Sequence, residues 1–335
     1  MIVSVVSMPE GIMTRTHVSE ARERLATSSF LFVDMELPEE TAPGEQQVAH
    51  LLGLEAEDVE WLGREGEPAR VEFLGDSAAF VVPAFEGGQA IHVHALVTER
   101  ALVTVHRGPA ALVESLTARL PHERPPDSVA MLFLLLDEAL ETYRRSAVQG
   151  LLEVEDLEDE MFRQRQPEQL YRLARLRRTA ALLHHTLLPY QQSAEETMTR
   201  RALNRNFPVE RQRLAREYQR TSRLVLTDIT SLQEAARRGF GTYSSLVSGD
   251  QNGVINRLAI VSTIFLPLSF LTGFFGMNFA YLTNELESGA VFWLLAVGLN
   301  VVFLIAALYV LHRTQIWRML HADEGDDGDE GLDDQ

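Results

Sequence analysis

Two uncharged apolar runs near the C-terminus set the strongest limit on how this chain folds. Residues 258–275, LAIVSTIFLPLSFLTGFF, form an 18-residue stretch without a charge, and residues 290–311 add 22 more. At 1.5 Å per helical residue they reach roughly 27 and 33 Å, enough to cross a hydrocarbon core of about 30 Å. One such run alone is also how a buried core helix reads; two joined by a short polar link read as a pair of membrane spans. Arg237, Arg238 and Arg257 precede the first, and Arg313 and Arg318 follow the second. The link at 276–289 has no Lys or Arg and carries Glu285 and Glu287. The positive-inside rule then places both termini in the cytoplasm and the link outside, a multi-pass topology for a cell (inner) membrane. The N-terminus has no basic lead and only a short apolar stretch, so it does not read as a signal peptide.

Composition narrows the chemistry. There are 30 basic and 48 acidic residues, a net charge of −18. So acidic a chain lacks the basic footprint of a nucleic-acid binder. All the basic residues are arginine, which reads as the codon bias of a GC-rich bacterial genome. With no cysteine, disulfides, Cys-ligated zinc, iron–sulfur clusters and thiol catalysis are excluded. No phosphate-cradling Gly-Lys-Ser/Thr loop, His-Glu-x-x-His or Gly-x-Ser-x-Gly occurs, so the chain does not read as an enzyme and implies no organic cofactor. The mean hydropathy of −0.06 averages a charged soluble part with an apolar hairpin.

The part before the spans divides by pattern. Residues 1–126 read as a cytosolic α/β domain, with short strand-like runs at 30–33, 69–73, 78–82, 91–97 and 101–106. Helical spacing is expected at 45–54, through Val48, Leu51 and Leu52, and again at 109–120. The proline-rich segment 121–127 is the expected boundary. Residues 127–206 read as a helical hairpin with an acidic block at 153–160 and an Arg-rich second arm. Those blocks are expected to be solvated faces supported by i,i+4 pairs. From 207 to 275 one long stalk helix is expected to continue into the first span. Leu214, Tyr218, Thr221, Val225, Ile229, Leu232, Ala236, Phe240, Tyr243 and Val247 recur at spacings of three or four. A helix of about 95 Å cannot bury such a stripe in one small domain; it needs partners from its own chain or from copies. Gly239, Gly241, Gly249 and Gly253 weaken it.

Within the first span, Asn252, Ile255, Leu258, Ser262, Leu266, Ser269 and Gly273 fall on one helical face. Small and hydroxyl residues on one stripe suit close helix packing and equally suit the lining of a pore. The residues alone leave both open. The span ends in Gly276, Met277 and Asn278, followed by the external loop of 276–289, the second span of 290–311 and an acidic cytosolic tail of 312–335. That tail holds eight carboxylates and no base between 323 and 334, a composition expected to be disordered and inert.

In this setting the segment STIFLPLSFLTGFFGMNF, 262–279, resembles the CorA family of divalent-cation transport proteins. Weaker likeness extends back through the helical segments to 69–82 and 96–109. The resemblance implies a CorA-like funnel: an α+β cytosolic domain, a long α-helical stalk and a C-terminal two-helix transmembrane hairpin, assembled as a homopentamer. It implies Mg²⁺, with Co²⁺ and Ni²⁺, as substrate, drawn across the bilayer through a pore lined by the first span. Gly276, Met277 and Asn278 then form the selectivity motif at the outer mouth. Mg²⁺ dehydrates reluctantly, and a ring of Asn278 amide oxygens accepts hydrogen bonds from its waters without stripping them. Ser269 matches the family's polar ring. Ile255, Leu258 and Leu266 match its apolar constriction, with Asn252 at the cytosolic mouth. Glu285 and Glu287 would concentrate cations outside. Mg²⁺ is also implied as a regulator, bound between cytosolic domains at Glu217 with Glu86 as partner; a second acidic position of the family falls on Gly241. The nearest rival is a ZntB-like, proton-coupled zinc transporter, which tends to carry Gly-Ile-Asn. His92, His94, His184 and His185 read as surface or structural rather than as zinc ligands. A membrane-anchored coiled-coil scaffold or sensor would explain the heptads and leave the motif unexplained.

Overall fold

The structure, a computed structural model, describes residues 2–8, 11–27, 30–38, 61–62, 67, 70–74, 77–202, 208–277 and 288–313. The expected helix at 45–54, the loop residues Asn278, Glu285 and Glu287, Arg318 and the acidic tail lie outside the described residues. By compactness the chain divides into Met1–Gly241 and Thr242–Gln335. The turn at 121–127 therefore falls inside the first unit.

The first unit is built on seven strands: β1 (Ile2–Ser7), β2 (Ile12–Thr16), β3 (Leu31–Leu37), β4 (Arg70–Leu74), β5 (Ser77–Glu86), β6 (Gln89–Val97) and β7 (Ala101–Arg107). They form one sheet in the order β2-β1-β3-β7-β6-β5-β4. Only β3 and β7 pair in parallel. The strands from β3 onward overlap the five runs expected from the sequence; β1 and β2 lie within the N-terminal stretch, where the sequence suggests no element. Gly87 and Gly88, at φ of 57° and 83°, turn β5 into β6 in the way a two-residue hairpin requires.

β5 and β7 are buried almost end to end, because both faces of the sheet are covered. On one side Val5, Val33, Met35, Val81 and Val103 share a core with Ala21 of α1 (Val18–Thr27), Trp61 and Leu62. On the other lie α2 (Ala111–Glu123), α3 (Ser128–Arg163) and α4 (Pro167–Ala202). Pro83 inside β5 is tolerated because, among the described residues, β4 pairs only as far as Val81, so no described strand needs the missing N–H. Two residues on, the Phe85 N–H donates to Thr142 Oγ1 of α3 at 2.9 Å.

α3 starts on an Asp127 cap, whose Oδ1 accepts from the Ala130 N–H at 2.7 Å. It is antiparallel to α4, since Tyr143 meets Thr186, Glu153 meets Arg175 and Glu160 meets Arg172. The buried Gln169 side chain closes the turn, accepting from the Gln166 N–H and donating to the Gln164 carbonyl. The acidic and basic blocks thus support each other across the hairpin, where the sequence reading had i,i+4 pairs along each arm.

α5 (Val209–Phe275) is a single 67-residue helix with residues in both units. Its first part runs in the same direction as α3: Phe133 packs edge-on against Tyr218, and Leu232 lies against Gly150. The buried stripe is Ala215, Tyr218, Ser222, Val225, Ile229, Leu232, Ala236 and Gly239. It differs from the expected stripe at Leu214, Thr221 and Phe240, which are half-buried, and Tyr243 and Val247 are half-buried beyond it. Gly239 does not act as a weak point: a Cβ there would stand 2.9 Å from Leu173 Cδ2, so its size is what lets α4 approach.

In the second unit, the 258–275 run forms the C-terminal quarter of α5. The 290–311 run falls in a helical stretch made of α6 (Gly289–Val291), a π-helical segment (Phe292–Gly298) and α7 (Leu299–Arg313). Among the described residues, α5 is the one helix long and apolar enough to cross a membrane, and Leu299–Val310 is a shorter apolar helix.

Candidate functional site

The apolar end of α5 has two unlike sides. Leu271 is buried, and Ile260, Ile264, Pro267, Leu268 and Phe275 are half-buried. Asn252, Ile255, Leu258, Ser262, Leu266, Ser269 and Gly273 are all exposed. At 100° per residue, the stripe from Ile255 to Gly273 centres about half a turn around the helix from Leu271. The small and polar face is thus left open by its own chain, as are the flanking Val261, Phe265, Phe270 and Phe274.

Hydroxyl groups divide the same way. Thr263 donates to the Ala259 carbonyl at 2.8 Å and Thr272 to the Leu268 carbonyl at 2.9 Å, which satisfies them inside an apolar segment. Ser262 and Ser269, on the stripe, have no hydrogen-bond partner among the described residues. A hydroxyl with its bonds unspent suits contact with water. The helix closes on the motif: the Gly276 N–H donates to the Thr272 carbonyl at 3.0 Å and the Met277 N–H to Phe274 at 3.3 Å. A Cβ at Gly276 would stand 3.1 Å from the Thr272 carbonyl oxygen, so a larger residue would disturb the turn that presents Met277.

The first unit holds the regulatory candidates, and within one chain the two named from the sequence have different partners. Glu217 is exposed on α5, 3.6 Å from Arg213 one turn earlier. Glu86 has another task. Its carboxylate accepts the Ala111 and Leu112 N–H groups at 3.0 and 2.7 Å, capping the positive end of α2. The acid that Glu217 acts on is Asp137 of α3. Asp137 is open to solvent on one side and crowded by protein on the others. That crowding, opposed by Arg119 and helped to a lesser extent by the Glu217 carboxylate, pushes its carboxyl up to about 6. The sequence reading missed Asp137, although an acid inside the apolar run 131–140 was a signal for it. Around Gly241 nothing would meet a Cβ within 4 Å.

His94 lies in the sheet with its ring 5.6 Å from that of Trp61. Burial, with His92 and Arg107 nearby, lowers it to about 4. Among the described residues no group of three or more His, Asp or Glu side chains is placed to hold a metal.

Comparisons with known proteins bear on the family and the fold. The CorA-like Mg²⁺ transporter protein family matches residues 27–313. The cobalt/magnesium transport protein CorA of Thermotoga maritima is 23% identical over 252 residues, 71% of this chain and 70% of its own. A protein of the same description from Methanocaldococcus jannaschii is 26% identical over 186 residues, 55% of this chain and 57% of its own. The complete structure of the CorA magnesium transporter from Methanocaldococcus jannaschii shares the fold, with a TM-score of 0.73 and 20% identity over 93% of this chain and 97% of its own.

Proposed function

The chain belongs to the CorA-like Mg²⁺ transporter family, and we propose that it carries Mg²⁺, with Co²⁺ and Ni²⁺, across the cell membrane through a homopentameric pore. The observation that carries this reading is the open stripe of α5, opposite the buried Leu271 and ending at Gly276 and Met277. Five copies of that stripe around an axis give rings of Ser262 and Ser269 hydroxyls among apolar rings of Leu258, Leu266 and Ile255. Hydroxyls bind the waters of a hydrated ion, and apolar rings gate by dewetting. At the outer mouth Asn278 holds the hydrated cation through its amide oxygen, and Glu285 and Glu287 raise the local cation concentration.

The driving force is the membrane potential, worth about 4.6 kcal/mol per 100 mV for a divalent ion. Cytosolic cation binding closes the pore. For that role Asp137 and Glu217 form the acidic pair, in place of Glu86 and Glu217, because two like charges in a crowded site are relieved by a divalent cation. Both termini face the cytoplasm, as the arginine distribution requires.

Uptake of Mg²⁺ and Zn²⁺ into proteoliposomes, with and without a pH gradient, tests the assignment. Mg²⁺ uptake indifferent to the gradient and abolished by Asn278→Ala is expected. Zinc uptake that follows the proton gradient would replace it with a ZntB-like mechanism, and no flux of either ion would leave a scaffold.

A further inference from the structure

A buried histidine in the sheet has surroundings that fix its charge. His106, near the end of β7, is 6% exposed. Its Nδ1 lies 2.6 Å from the Gly108 carbonyl oxygen, and its Nε2 lies 3.4 Å from its hydrogen-bond partner Asp34 Oδ2 on β3 and 3.2 Å from Oδ1. A carbonyl and a carboxylate both accept, and neither has a hydrogen to give. A neutral imidazole has one N–H, whereas the imidazolium has two. Both contacts are hydrogen bonds only when the ring carries two protons. Asp34 also accepts from Thr104 Oγ1 at 2.6 Å, so its carboxylate is already oriented as an acceptor.

The bonds add to the backbone pairing and to the Thr104 and Arg107 side-chain contacts that join β7 to β3. β3 and β7 are the parallel pair of the sheet, with Asp34 opposite Thr104 and Glu36 opposite His106. Gly108, at φ 63°, starts the turn from β7 into α2, and its N–H donates to the Leu37 carbonyl at 3.1 Å. His106 ties the same turn to β3 a second time, through a side chain.

We propose that His106 is a proton-operated latch: the doubly protonated ring ties the turn after β7 to Asp34 of β3, and loss of one proton releases the Asp34 tie. The remaining N–H stays on the shorter bond to Gly108, and the bare Nε2 lone pair then faces a carboxylate. The charged groups facing the ring are Asp34 and Glu36 of β3. Arg107, its neighbour on β7, sends its guanidinium to the Pro38 carbonyl at 3.1 Å. Burial disfavours the charged ring, but the Asp34 hydrogen bond and charge, the Gly108 carbonyl and the Glu36 charge outweigh it and hold His106 above the ordinary histidine value. A group raised on folding stabilises fully below its unfolded value, and that contribution is lost as pH rises through the folded one. The latch therefore opens toward alkaline pH.

Hydrogen exchange of the full-length protein in detergent, followed by mass spectrometry, tests this from about pH 6 to about pH 9, a range that brackets histidine titration. After correction for intrinsic base catalysis, protection of residues 107–112 should fall by about tenfold relative to the β5–β6 hairpin, the factor carried by one charge-assisted hydrogen bond. His106→Gln should give weak protection at every pH, and Asp34→Asn should move the loss to lower pH. A wild-type ratio unchanged across the range would overturn the latch, whether or not either variant folds.

Discussion

Glu138 shows how much one buried side chain is asked to do. It is 4% exposed on α3 and accepts from Ser115 Oγ at 2.7 Å, Arg119 Nη1 at 2.7 Å and Arg145 Nη2 at 3.1 Å. Its removal strands the Ser115 hydroxyl and two guanidinium groups, although both arginines are open enough to rehydrate. Glu138→Ala should cost about 2 kcal/mol, read as a lowered unfolding midpoint in urea, with Glu138→Gln losing less. At Asp137 and Glu217 the expected effect is on binding. Mg²⁺ should protect the wild-type protein from proteolysis, and Glu217→Ala or Asp137→Asn should each weaken that protection. Unchanged digestion in both variants would remove the pair from the regulatory scheme.

At the scale of elements, glycines on neighbouring helices should behave in opposite ways. A Cβ at Gly150 would stand 2.8 Å from Leu232 Cδ2, whereas one at Gly241 meets nothing within 4 Å. Gly150→Ala gains about 1 kcal/mol of helix propensity but crowds the α3–α5 contact at a cost of about 1–3 kcal/mol. Gly241→Ala has the gain alone. The thermal midpoint should fall for the first and rise or hold for the second; the same sign in both would contradict the packing described.

The contrast also shows what the sequence could and could not reveal. Periodicity located the long helix and the hairpin because apolar spacing reports a buried face. It could not say which helix lies against which face. That is why spacing alone points to Thr221 and Phe240 rather than Ser222 and Gly239, and why it names no partner across the hairpin for Glu153 and Glu160, which meet Arg175 and Arg172. β1 and β2 were missed because β2 is an exposed edge strand, IMTRT, without the apolar alternation of a half-buried one.

For the whole molecule, the open stripe of α5 is where sequence and structure meet most usefully. From residue types alone, Ser262 and Ser269 served helix packing and pore lining equally well. The structure adds that their face is uncovered in a single chain and that their hydroxyls have no partner among the described residues, while Thr263 and Thr272 bond back to their own helix. The pair proposed for regulation was less legible, because Asp137 and Glu217 are distant in sequence, and Glu217 acts on Asp137 only once α5 packs beside α3. Substituting Leu for Ser269 should make its ring apolar and greatly reduce Mg²⁺ uptake, with assembly in detergent unchanged on size-exclusion chromatography.

The central claim is that the chain conducts a divalent cation down an electrical gradient. It is tested most directly by Mg²⁺ uptake into proteoliposomes across a set potassium diffusion potential, without nucleotide or pH gradient. At 100 mV inside-negative, about 4.6 kcal/mol favours accumulation by about three orders of magnitude. Uptake that rises with the imposed potential and disappears in Asn278→Ala is expected. Uptake that ignores the potential, or none at any potential, would contradict it.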